Sequence, residues 1–381
     1  MCGLIFAGVK IAVNTRLLIP QKLEGIGWFT REIFYRLVRQ HPEVEWLFLF
    51  DRPVDPRLDL PEGLQVEVLP PPTRHPLLWY LWFEQRLPRF LAQKGVDLLV
   101  SPDGFAPLKG PVPALPVIHD LNFEHQPQNV PWLTGHYLRY FFPRIAHQAP
   151  HLATVSDFSR QDLHQTYGLP LHKISVVPNG VGEHFQPSTS AAIQSYRQKH
   201  TAGKPFFIFI GALNPRKNLE GLLSSYQLYR EQGYQAHLLI VGEVMFGAGP
   251  VKKQYRRHPF RSDIHFTGRL DGSELREALA AAQALWFVSH YEGFGIPIIE
   301  AFRCGVPVIT AQNSSMPEIA GEAAWCCPSH DTTAITEAMI QSEDPAQRAR
   351  RIKAGRARAE YFTWEKAAQH MWEAIQKALP S

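Results

Sequence analysis

Residues 284–311, ALWFVSHYEGFGIPIIEAFRCGVPVITA, constrain the fold of this chain more than any other stretch. An apolar run that ends at His290 is followed by two glycines, a helical segment and a second apolar run over 306–310. This order predicts a strand, a turn, a helix and a second strand that runs parallel to the first. Such a unit requires a parallel sheet covered by helices, so the sequence predicts an α/β fold.

Two glutamates in this unit are candidate functional residues. Glu292 follows the first strand, and Glu300 lies inside the helix, with seven residues between them. Parallel sheets bind ligands at the C-terminal ends of their strands, so Glu292 stands where chemistry is expected and Glu300 lies about one helical turn further on. Gly293 and Gly295 flank Phe294 and leave backbone N–H groups at the helix start open to a ligand. The alternative is an ordinary turn glutamate and a solvated helix glutamate.

The segment EGFGIPIIEA resembles the signature of glutamate, seven residues and glutamate found in retaining GT-B glycosyltransferases of family 4. The resemblance implies two Rossmann-like domains facing a central cleft. It also implies transfer of a sugar from a nucleotide diphosphate to an acceptor hydroxyl with retention of configuration. It assigns Glu300 to the nucleotide ribose, and it places at the donor sugar Glu292, Gly293, Phe294, Gly295 and Ile296.

The chain of 381 residues has the length of two domains, and strands alternate with helices in two successive series. A polar stretch over 182–204 separates the series. We therefore expect an N-terminal domain over 1–185 and a C-terminal domain over 186–362. By the resemblance, the first binds the acceptor, the second binds the nucleotide sugar, and the last helix, 363–381, crosses back onto the first.

In the second series, the string GALNPRKNLEGLL places Arg216 and Lys217 between a strand end and a helix start. Cations are poorly placed beside a positive helix N-terminus unless an anion is bound there. The P-R-K-N string resembles the family, which implies that this anion is the donor diphosphate. Ala212 stands where some relatives carry a further arginine, and the alternative is a solvated loop pair. The segment FTGRL, which ends at Leu270, resembles the strand whose backbone contacts the nucleobase.

In the first series, Gly25 and Gly27 stand at the start of a helix predicted over 25–41. The resemblance implies that their backbone approaches the donor phosphates. His119 and Asp120 follow a predicted strand and match the family's H-D motif, which assigns His119 to the donor sugar. Asp120 is expected to orient loop backbone or to contact the acceptor, and His125 is a weaker candidate.

Prolines and aromatic residues shape our expectations for two helices. The segment 77–95 is aromatic and basic, which suits either a membrane or acceptor surface or packing against the sheet, and we favour packing. Pro88 predicts a kink or break in that helix, and Pro143 predicts an interruption in the helix over 137–152. Ser156 is predicted to cap the following helix.

Composition narrows the function classes. A net charge of +4, from 39 cationic and 35 anionic residues, does not favour nucleic-acid binding and is compatible with weak attraction to an anionic membrane. No run of apolar residues reaches the length of a membrane span, and the N-terminal MCGLIFAG lacks the basic region of a signal peptide. The four cysteines predict buried, reduced thiols, and no carboxylate cluster predicts a metal. We therefore expect a cytoplasmic enzyme without metal or cofactor, and peripheral contact with the inner membrane face is the alternative.

The donor and the acceptor stay open. The strings NPRKN and HDLNFEHQP resemble mannosyltransferases of bacterial O-antigen and capsule assembly, which suggests GDP-mannose, although UDP-glucose remains an alternative. A carbohydrate or lipid-linked acceptor in polysaccharide, lipopolysaccharide or glycolipid assembly is implied by the resemblance. A nucleotide-sugar epimerase, a phosphorylase and a non-catalytic nucleotide-sugar-binding subunit are the competing functions.

Overall fold

The computed structural model describes residues 8–20, 23–243, 249–270 and 272–379. The chain divides into two compact units, one formed by Met1–Gly180 with Trp364–Ser381 and the other by Val181–Thr363. The sequence placed this boundary five residues later, after residue 185. Each unit contains a parallel sheet whose strands alternate with helices.

The elements follow one another in strict alternation for most of the chain. The strands are β1 Lys10–Asn14, β2 Glu45–Phe50, β3 Gln65–Val68, β4 Leu98–Ser101, β5 Ala114–Pro116, β6 Leu152–Thr154, β7 Ile174–Val176, β8 Phe206–Ile210, β9 His237–Val241, β10 Ile264–Gly268, β11 Ala284–Phe287, β12 Val308–Ala311 and β13 Ala324–Cys327. The helices are α1 Gly25–Gln40, α2 Pro76–Tyr80, α3 Leu87–Gln93, α4 Asn122–His125, α5 Trp132–Gln148, α6 Asp157–Tyr167, α7 Ser190–Thr201, α8 Leu219–Glu231, α9 Gly249–Arg257, α10 Gly272–Ala281, α11 Ile296–Arg303, α12 Met316–Ala320, α13 Thr332–Gln341, α14 Pro345–Ala359 and α15 Trp364–Ala378.

The sheet of the first unit has the strand order β3-β2-β1-β4-β5, and its paired strands are parallel. β1 and β4 are buried almost completely, as expected for strands covered on both faces. A bridge between Val117 and Ala153 continues the pairing to β6, which pairs with β7. The chain changes direction along this sheet between β1 and β4.

The second unit repeats this order with one further strand, as β10-β9-β8-β11-β12-β13. The change of direction falls between β8 and β11, and residues 284–311 form the predicted unit of β11, α11 and β12. In open α/β sheets, ligands bind at the carboxyl ends of the strands flanking this switch point. The fold therefore directs attention to the segments that follow β8 and β11.

The two proline predictions had different outcomes. A π-helical turn over 81–86 joins α2 to α3, and the Leu87 N–H donates to the Trp82 carbonyl. The regular α-helix is therefore interrupted directly before Pro88, as expected. The expected interruption at Pro143 was wrong. Pro143 lies inside α5, which is not interrupted, because the buried residues around it hold the helix against the protein.

Other expectations for helices had mixed outcomes. The Ser156 cap is confirmed, since its hydroxyl accepts a hydrogen bond from the Ser159 N–H at 3.1 Å. The polar stretch predicted as a linker contains α7, which Thr189 caps. At the C-terminus, α15 packs within the first unit, where Glu365 pairs with Arg36 at 2.8 Å.

Of the described helices, none is long and apolar enough to cross a membrane. The cysteine prediction holds for Cys304 and Cys327, whose thiols are free and buried. It is wrong for Cys326, which is exposed because successive side chains of β13 point to opposite faces. Cys2 lies outside the described residues.

Candidate active site

The candidate site of the second unit lies at its switch point. After β8 the chain forms a short 3₁₀ turn over Pro215–Lys217, and after β11 it forms the loop that carries Glu292. Because β8 and β11 are paired, these two segments meet at the carboxyl edge of the sheet. The His290 N–H donates to the Arg216 carbonyl at 2.8 Å and ties the two segments together.

Glu292 is the centre of a buried ion cluster with both predicted cations. One carboxylate oxygen accepts from the Arg216 guanidinium at 3.0 Å, and the other accepts from the Lys217 ammonium at 2.7 Å. Glu292 is 6% exposed and Lys217 is 9% exposed. The ammonium also lies 4.7 Å from the ring centre of Phe287, so an aromatic face covers its other side.

This cluster fixes the ionisation of Glu292. Burial alone would raise the pKa of its carboxyl, but the charges of Arg216 and Lys217 outweigh burial and hold the pKa below its ordinary value. The carboxylate is therefore ionised at neutral pH. With both oxygens engaged by cations, it is a weak base and a weak nucleophile.

The cluster corrects one step of the sequence argument. We inferred that Arg216 and Lys217 require a bound anion, but a carboxylate of the protein already lies between them. A ligand phosphate at this edge would still meet two cations, although their position alone no longer requires one.

Asn218, which the sequence analysis did not single out, holds the two segments in place. Its backbone is left-handed, with φ of 56°, and its side-chain oxygen caps α8 at the Gly221 N–H. Its side-chain amide donates to the Val288 carbonyl at 3.0 Å and to the Ser329 carbonyl at 2.6 Å. An asparagine just before an apolar helical run is a typical N-cap, so this signal could have been found in the sequence.

The glycine turn before α11 has the predicted form. Gly295 precedes the helix with φ of 102°, and a Cβ there would lie 3.1 Å from the Ile298 side chain. Phe294 is buried with its ring edge-on to Phe362. The Ser315 hydroxyl, another residue missed from the sequence, lies 2.9 Å from the Glu292 carbonyl and 3.0 Å from that of Phe294. Ile296 is the first residue of α11, so its N–H has no partner within the helix, whereas Pro297 has no N–H and the Ile298 N–H donates to the Gly295 carbonyl at 3.0 Å.

Glu300 lies in the second turn of α11 and is partly buried. Among the described residues, none forms a hydrogen bond or an ion pair with its carboxylate. Burial raises the pKa of Glu300 to about 8. A carboxylate without partners in a desolvated position can gain stabilisation from ligand hydroxyls, which fits the role that the resemblance implies.

His119 lies at the carboxyl edge of the first unit's sheet. Its Nε2 lies 2.7 Å from the Pro102 carbonyl, so this nitrogen carries the proton and Nδ1 is left as an acceptor. Phe29 packs edge-on against the ring, with 5.0 Å between ring centres. Burial lowers the pKa of His119, so the ring is neutral at pH 7. A neutral imidazole with a bare Nδ1 can accept a hydrogen bond from a sugar hydroxyl.

The other predicted residues of the first unit have structural partners. Asp120 accepts from the Asn122 N–H at 3.0 Å, as expected for a residue that orients its loop. His125 pairs with Asp162 at 2.7 Å. Gly25 is exposed at the start of α1, whereas Gly27 is buried, and a Cβ on Gly27 would lie 3.0 Å from the Leu17 carbonyl. Close packing alone is therefore a sufficient reason for glycine at residue 27.

Two further predictions concern peripheral segments. Leu270 is partly exposed, two residues after the end of β10 at the edge of the sheet. In the aromatic segment, Trp82 and Phe83 are buried in the core of the first unit, so the packing interpretation is right for this face. Tyr80 is 49% exposed on the opposite face.

The first unit also holds a buried ion pair that the sequence analysis missed. Arg16 follows β1, Asp103 follows β4, and their side chains meet with 2.5 Å between Nε and Oδ2 at 5% and 4% side-chain exposure. Asn14 donates to the other oxygen of Asp103 at 2.9 Å, and Thr73 accepts from Arg16 at 3.0 Å. No sequence motif marks these residues, since they lie far apart along the chain.

The described residues, 8–20, 23–243, 249–270 and 272–379, contain no candidate metal site. No group of three histidine, cysteine, aspartate or glutamate side chains among them is arranged to hold a metal ion.

Comparison with known families divides the chain as the fold does. Residues 23–184 match the family described as Glycosyltransferase Family 4, and residues 192–358 match the one described as Glycosyl transferases group 1.

Curated relatives include several mannosyltransferases and also glycogen synthase of Mycobacterium tuberculosis, which is 26% identical over 59% of this chain and 53% of its own length. The O-antigen chain mannosyltransferase B of Escherichia coli is 30% identical over 255 residues, which cover 66% of this chain and 67% of that protein. The serotype-specific mannosyltransferase WbdA of Escherichia coli is 26% identical over 61% of this chain, but this region is only 29% of WbdA. A GDP-mannose-dependent phosphatidylinositol dimannoside mannosyltransferase of Mycobacterium tuberculosis is 28% identical over 43% of this chain and 42% of its own length.

Among solved structures, sucrose-phosphate synthase from Thermosynechococcus elongatus superposes with a TM-score of 0.79 at 19% identity, over 97% of this chain and 98% of that one. Identity at this level bears on the fold alone. It identifies the fold as GT-B and confirms the predicted class.

Proposed function

The chain belongs to glycosyltransferase family 4, and we propose that it transfers mannose from GDP-mannose to a hydroxyl of a carbohydrate or lipid-linked acceptor, with retention and without a metal ion. The observation that carries the proposal is the Arg216–Glu292–Lys217 cluster at the switch point of the second unit. Two cations at the carboxyl edge of a parallel sheet suit a diphosphate. The mannosyltransferase relatives support the choice of sugar, and the name of the mycobacterial relative supports the choice of base.

Arg216 and Lys217 would stabilise the diphosphate as it leaves. Negative charge grows on this group while the glycosidic bond breaks, and fixed cations in a buried site stabilise growing charge without reorganising. Loss of one such contact costs about 3 kcal/mol, or roughly a hundredfold in rate. Helix dipoles and these two side chains would then supply what a divalent ion supplies in metal-dependent transferases.

Retention fits front-face attack better than a double displacement. In a double displacement, a carboxylate attacks the anomeric carbon and forms a covalent glycosyl intermediate. Glu292 is a poor nucleophile because both of its oxygens are held by cations. In front-face attack, the departing phosphate takes the proton of the acceptor hydroxyl while that oxygen bonds to the anomeric carbon on the same face. The phosphate held by Arg216 and Lys217 is then the base.

Glu300 would accept hydrogen bonds from the ribose hydroxyls, and His119 would accept one from the sugar at Nδ1. Gly293, Phe294, Gly295 and Ile296 would offer backbone amides at the start of α11, and Leu270 would lie near the base. Gly25 keeps its proposed place near the phosphates, while Gly27 supports the helix start by close packing. Asp120 is assigned to the loop that presents the acceptor.

The test is binding and hydrolysis of GDP-mannose, UDP-glucose and UDP-N-acetylglucosamine by the purified chain in excess EDTA. We expect GDP-mannose to bind in preference and to be hydrolysed slowly. The Glu300→Ala and Lys217→Ala variants should lose this binding, whereas Lys204→Ala, an exposed lysine of the same unit, should not. Tighter binding of UDP-glucose would identify UDP-glucose as the donor in place of GDP-mannose. A requirement for a metal ion would contradict the proposed mechanism.

Transfer itself distinguishes the competing functions. With mannosides as acceptors, the anomeric proton of the product reports the configuration by NMR. A binding subunit would bind the donor and never consume it, and an epimerase would convert the nucleotide sugar with no acceptor present. Either result would overturn the proposal.

A further inference from the structure

A basic face on α9 is unused by the proposed reaction. Lys252, Lys253, Arg256 and Arg257 are exposed along one side of this helix, and Arg261 is exposed just beyond its end. Together with Gly249, the four helical cations line a depression of about 410 Å³. Over the described part of the chain, no carboxylate lies within ion-pair distance of any of these five side chains.

The opposite side of α9 is anchored to the second unit, so the basic face has a fixed direction. The Gln254 side chain donates to the Ser224 hydroxyl at 2.8 Å, and His258 lies 3.0 Å from the Leu223 carbonyl. Tyr255 packs edge-on against Phe266. One side of the helix thus faces the protein, with positions 251, 254, 255 and 258. The other side faces solvent, with positions 252, 253, 256 and 257, as helical periodicity requires.

Comparison with α14, another arginine-rich helix of the same unit, shows that this face is unusual. Arg348 of α14 donates to the Gln283 carbonyl at 2.7 Å, Arg358 donates to the Ile319 carbonyl at 3.1 Å, and Arg351 donates to the Glu322 carbonyl. These arginines hold the unit together. The four cations on α9 leave their charged groups to solvent, and Arg261 donates at 3.3 Å to the Arg256 carbonyl of the same segment, in a chain whose net charge is only +4.

We propose that this basic face, formed by Lys252, Lys253, Arg256, Arg257 and Arg261, docks the protein on the anionic phosphates of a lipid bilayer. Five like charges within roughly 15 Å match a planar array of phosphates, which needs charge density and no defined groove. Tyr255, the aromatic residue of α9, packs against Phe266 and does not stand on the basic face as a platform for stacking a nucleic-acid base. Because the contact is electrostatic, it requires anionic lipid and weakens as salt rises.

The expected size of the effect follows from the charges. Each lysine or arginine near an anionic surface contributes about a fivefold gain in binding. Replacing two of them, as in Lys252→Gln/Arg256→Gln, should weaken vesicle binding by about 25-fold. The matched control is Arg350→Gln/Lys353→Gln, which removes the same charge from exposed positions of α14 and should change binding by less than about twofold.

The experiment is vesicle co-sedimentation of the full chain at three salt concentrations. One vesicle contains phosphatidylcholine alone, and the other contains phosphatidylcholine with about one third phosphatidylglycerol. Binding is expected only to the anionic vesicle, with loss at high salt and in the α9 variant. Sedimentation with neutral vesicles, unchanged binding by the α9 variant, equal loss in the α14 control or no binding by the wild type would each overturn the proposal.

Two further arms identify the ligand. Inorganic pyrophosphate at matched ionic strength should not displace the protein from vesicles, and displacement would indicate a site for a free phosphate instead. Tighter binding to a single-stranded oligonucleotide than to anionic vesicles would indicate a nucleic-acid surface. All of these measurements omit donor and acceptor, and GDP-mannose binding by the α9 variant is measured separately. Failure here is therefore distinguishable from failure of the proposed transfer reaction.

Discussion

The protonation of Glu300 should make nucleotide-sugar binding depend on pH. Burial raises the pKa of this carboxyl to about 8, so at neutral pH most molecules carry it protonated and uncharged. A carboxylate that accepts hydrogen bonds from both ribose hydroxyls must be ionised, because a protonated carboxyl loses acceptor capacity. The donor should therefore bind the deprotonated form, and binding should release a proton.

The magnitude follows from this pKa. Well below pH 8, each unit of pH should weaken GDP-mannose binding about tenfold, and because half of the molecules are already protonated at pH 8, the loss between pH 8 and pH 6 should be about fiftyfold. At pH 7, about 0.9 proton should be released for each GDP-mannose bound. The stability of the unliganded protein changes in the opposite sense. The folded state holds a proton that an unfolded glutamate releases near its model value of 4.5, so this group's contribution is lost as pH rises from there to about 8.

Titration calorimetry in buffers of different ionisation enthalpy measures both quantities. GDP-mannose is the suitable ligand because its diphosphate is esterified at both ends and does not titrate in this range. The lowered pKa of His119 keeps that ring neutral over most of it. The Glu300→Gln variant should bind more weakly and show no pH slope over this range. A wild-type affinity that is flat between pH 6 and pH 8, or an equal slope in the variant, would refute the reasoning.

Three substitutions test the buried charges and the glycine turn. Glu292→Gln removes the carboxylate charge that both cations contact and should lower the free energy of unfolding by about 3 to 5 kcal/mol in urea titrations, with partial recovery when GDP is added. The exposed control Glu337→Gln should leave the free energy of unfolding unchanged. Asp103→Ala removes the carboxylate that pairs with Arg16 in the other buried ion pair and should lower the free energy of unfolding by about 3 to 5 kcal/mol. A loss below about 1 kcal/mol would show that water reaches the pair. Gly295→Ala adds a Cβ to a residue with left-handed backbone, 3.1 Å from a neighbouring side chain. It should lower the free energy of unfolding by about 1 to 3 kcal/mol and reduce kcat/KM. An unaltered melting temperature would contradict this geometry.

The fold class could be predicted because its signals are local. Buried parallel strands are continuous apolar runs, and helices between them show apolar residues at helical spacing, so two successive series of both could be recognised along the chain. How each proline is accommodated has a non-local cause. Pro88 and Pro143 were judged by their effect on an isolated helix, while the structure accommodates them through a π-turn and through tertiary packing.

The site residues could be located for the same reason, but their partners could not. The chemistry-bearing residues follow strands, and the carboxyl edge of a parallel sheet gathers such residues whatever their distance in sequence. Which cation meets which carboxylate depends on strand order. Arg216 and Glu292 are brought together only because β8 pairs with β11, so the sequence could identify both residues and still miss their ion pair. Their roles toward a ligand remain predictions.

Strand order also explains why two buried ion pairs exist in this chain. The first unit places Arg16 after β1 and Asp103 after β4, and the second places Arg216 and Lys217 after β8 and Glu292 after β11. In both units these are the two strands that flank the switch point. A crevice opens there because the helices after the two strands cover opposite faces of the sheet.

The two pairs differ in charge, and the difference distinguishes the units. In the first unit, one arginine meets one carboxylate whose oxygens also accept from Asn14, so the pair is neutral and satisfied. In the second unit, one carboxylate is shared by two cations. Cations fixed at the carboxyl edge of a parallel sheet can stabilise an anionic ligand that binds there. The two cations therefore favour an anionic ligand for the second unit, and the neutral pair gives the first unit no such preference, which agrees with the proposed division between nucleotide donor and hydroxyl acceptor.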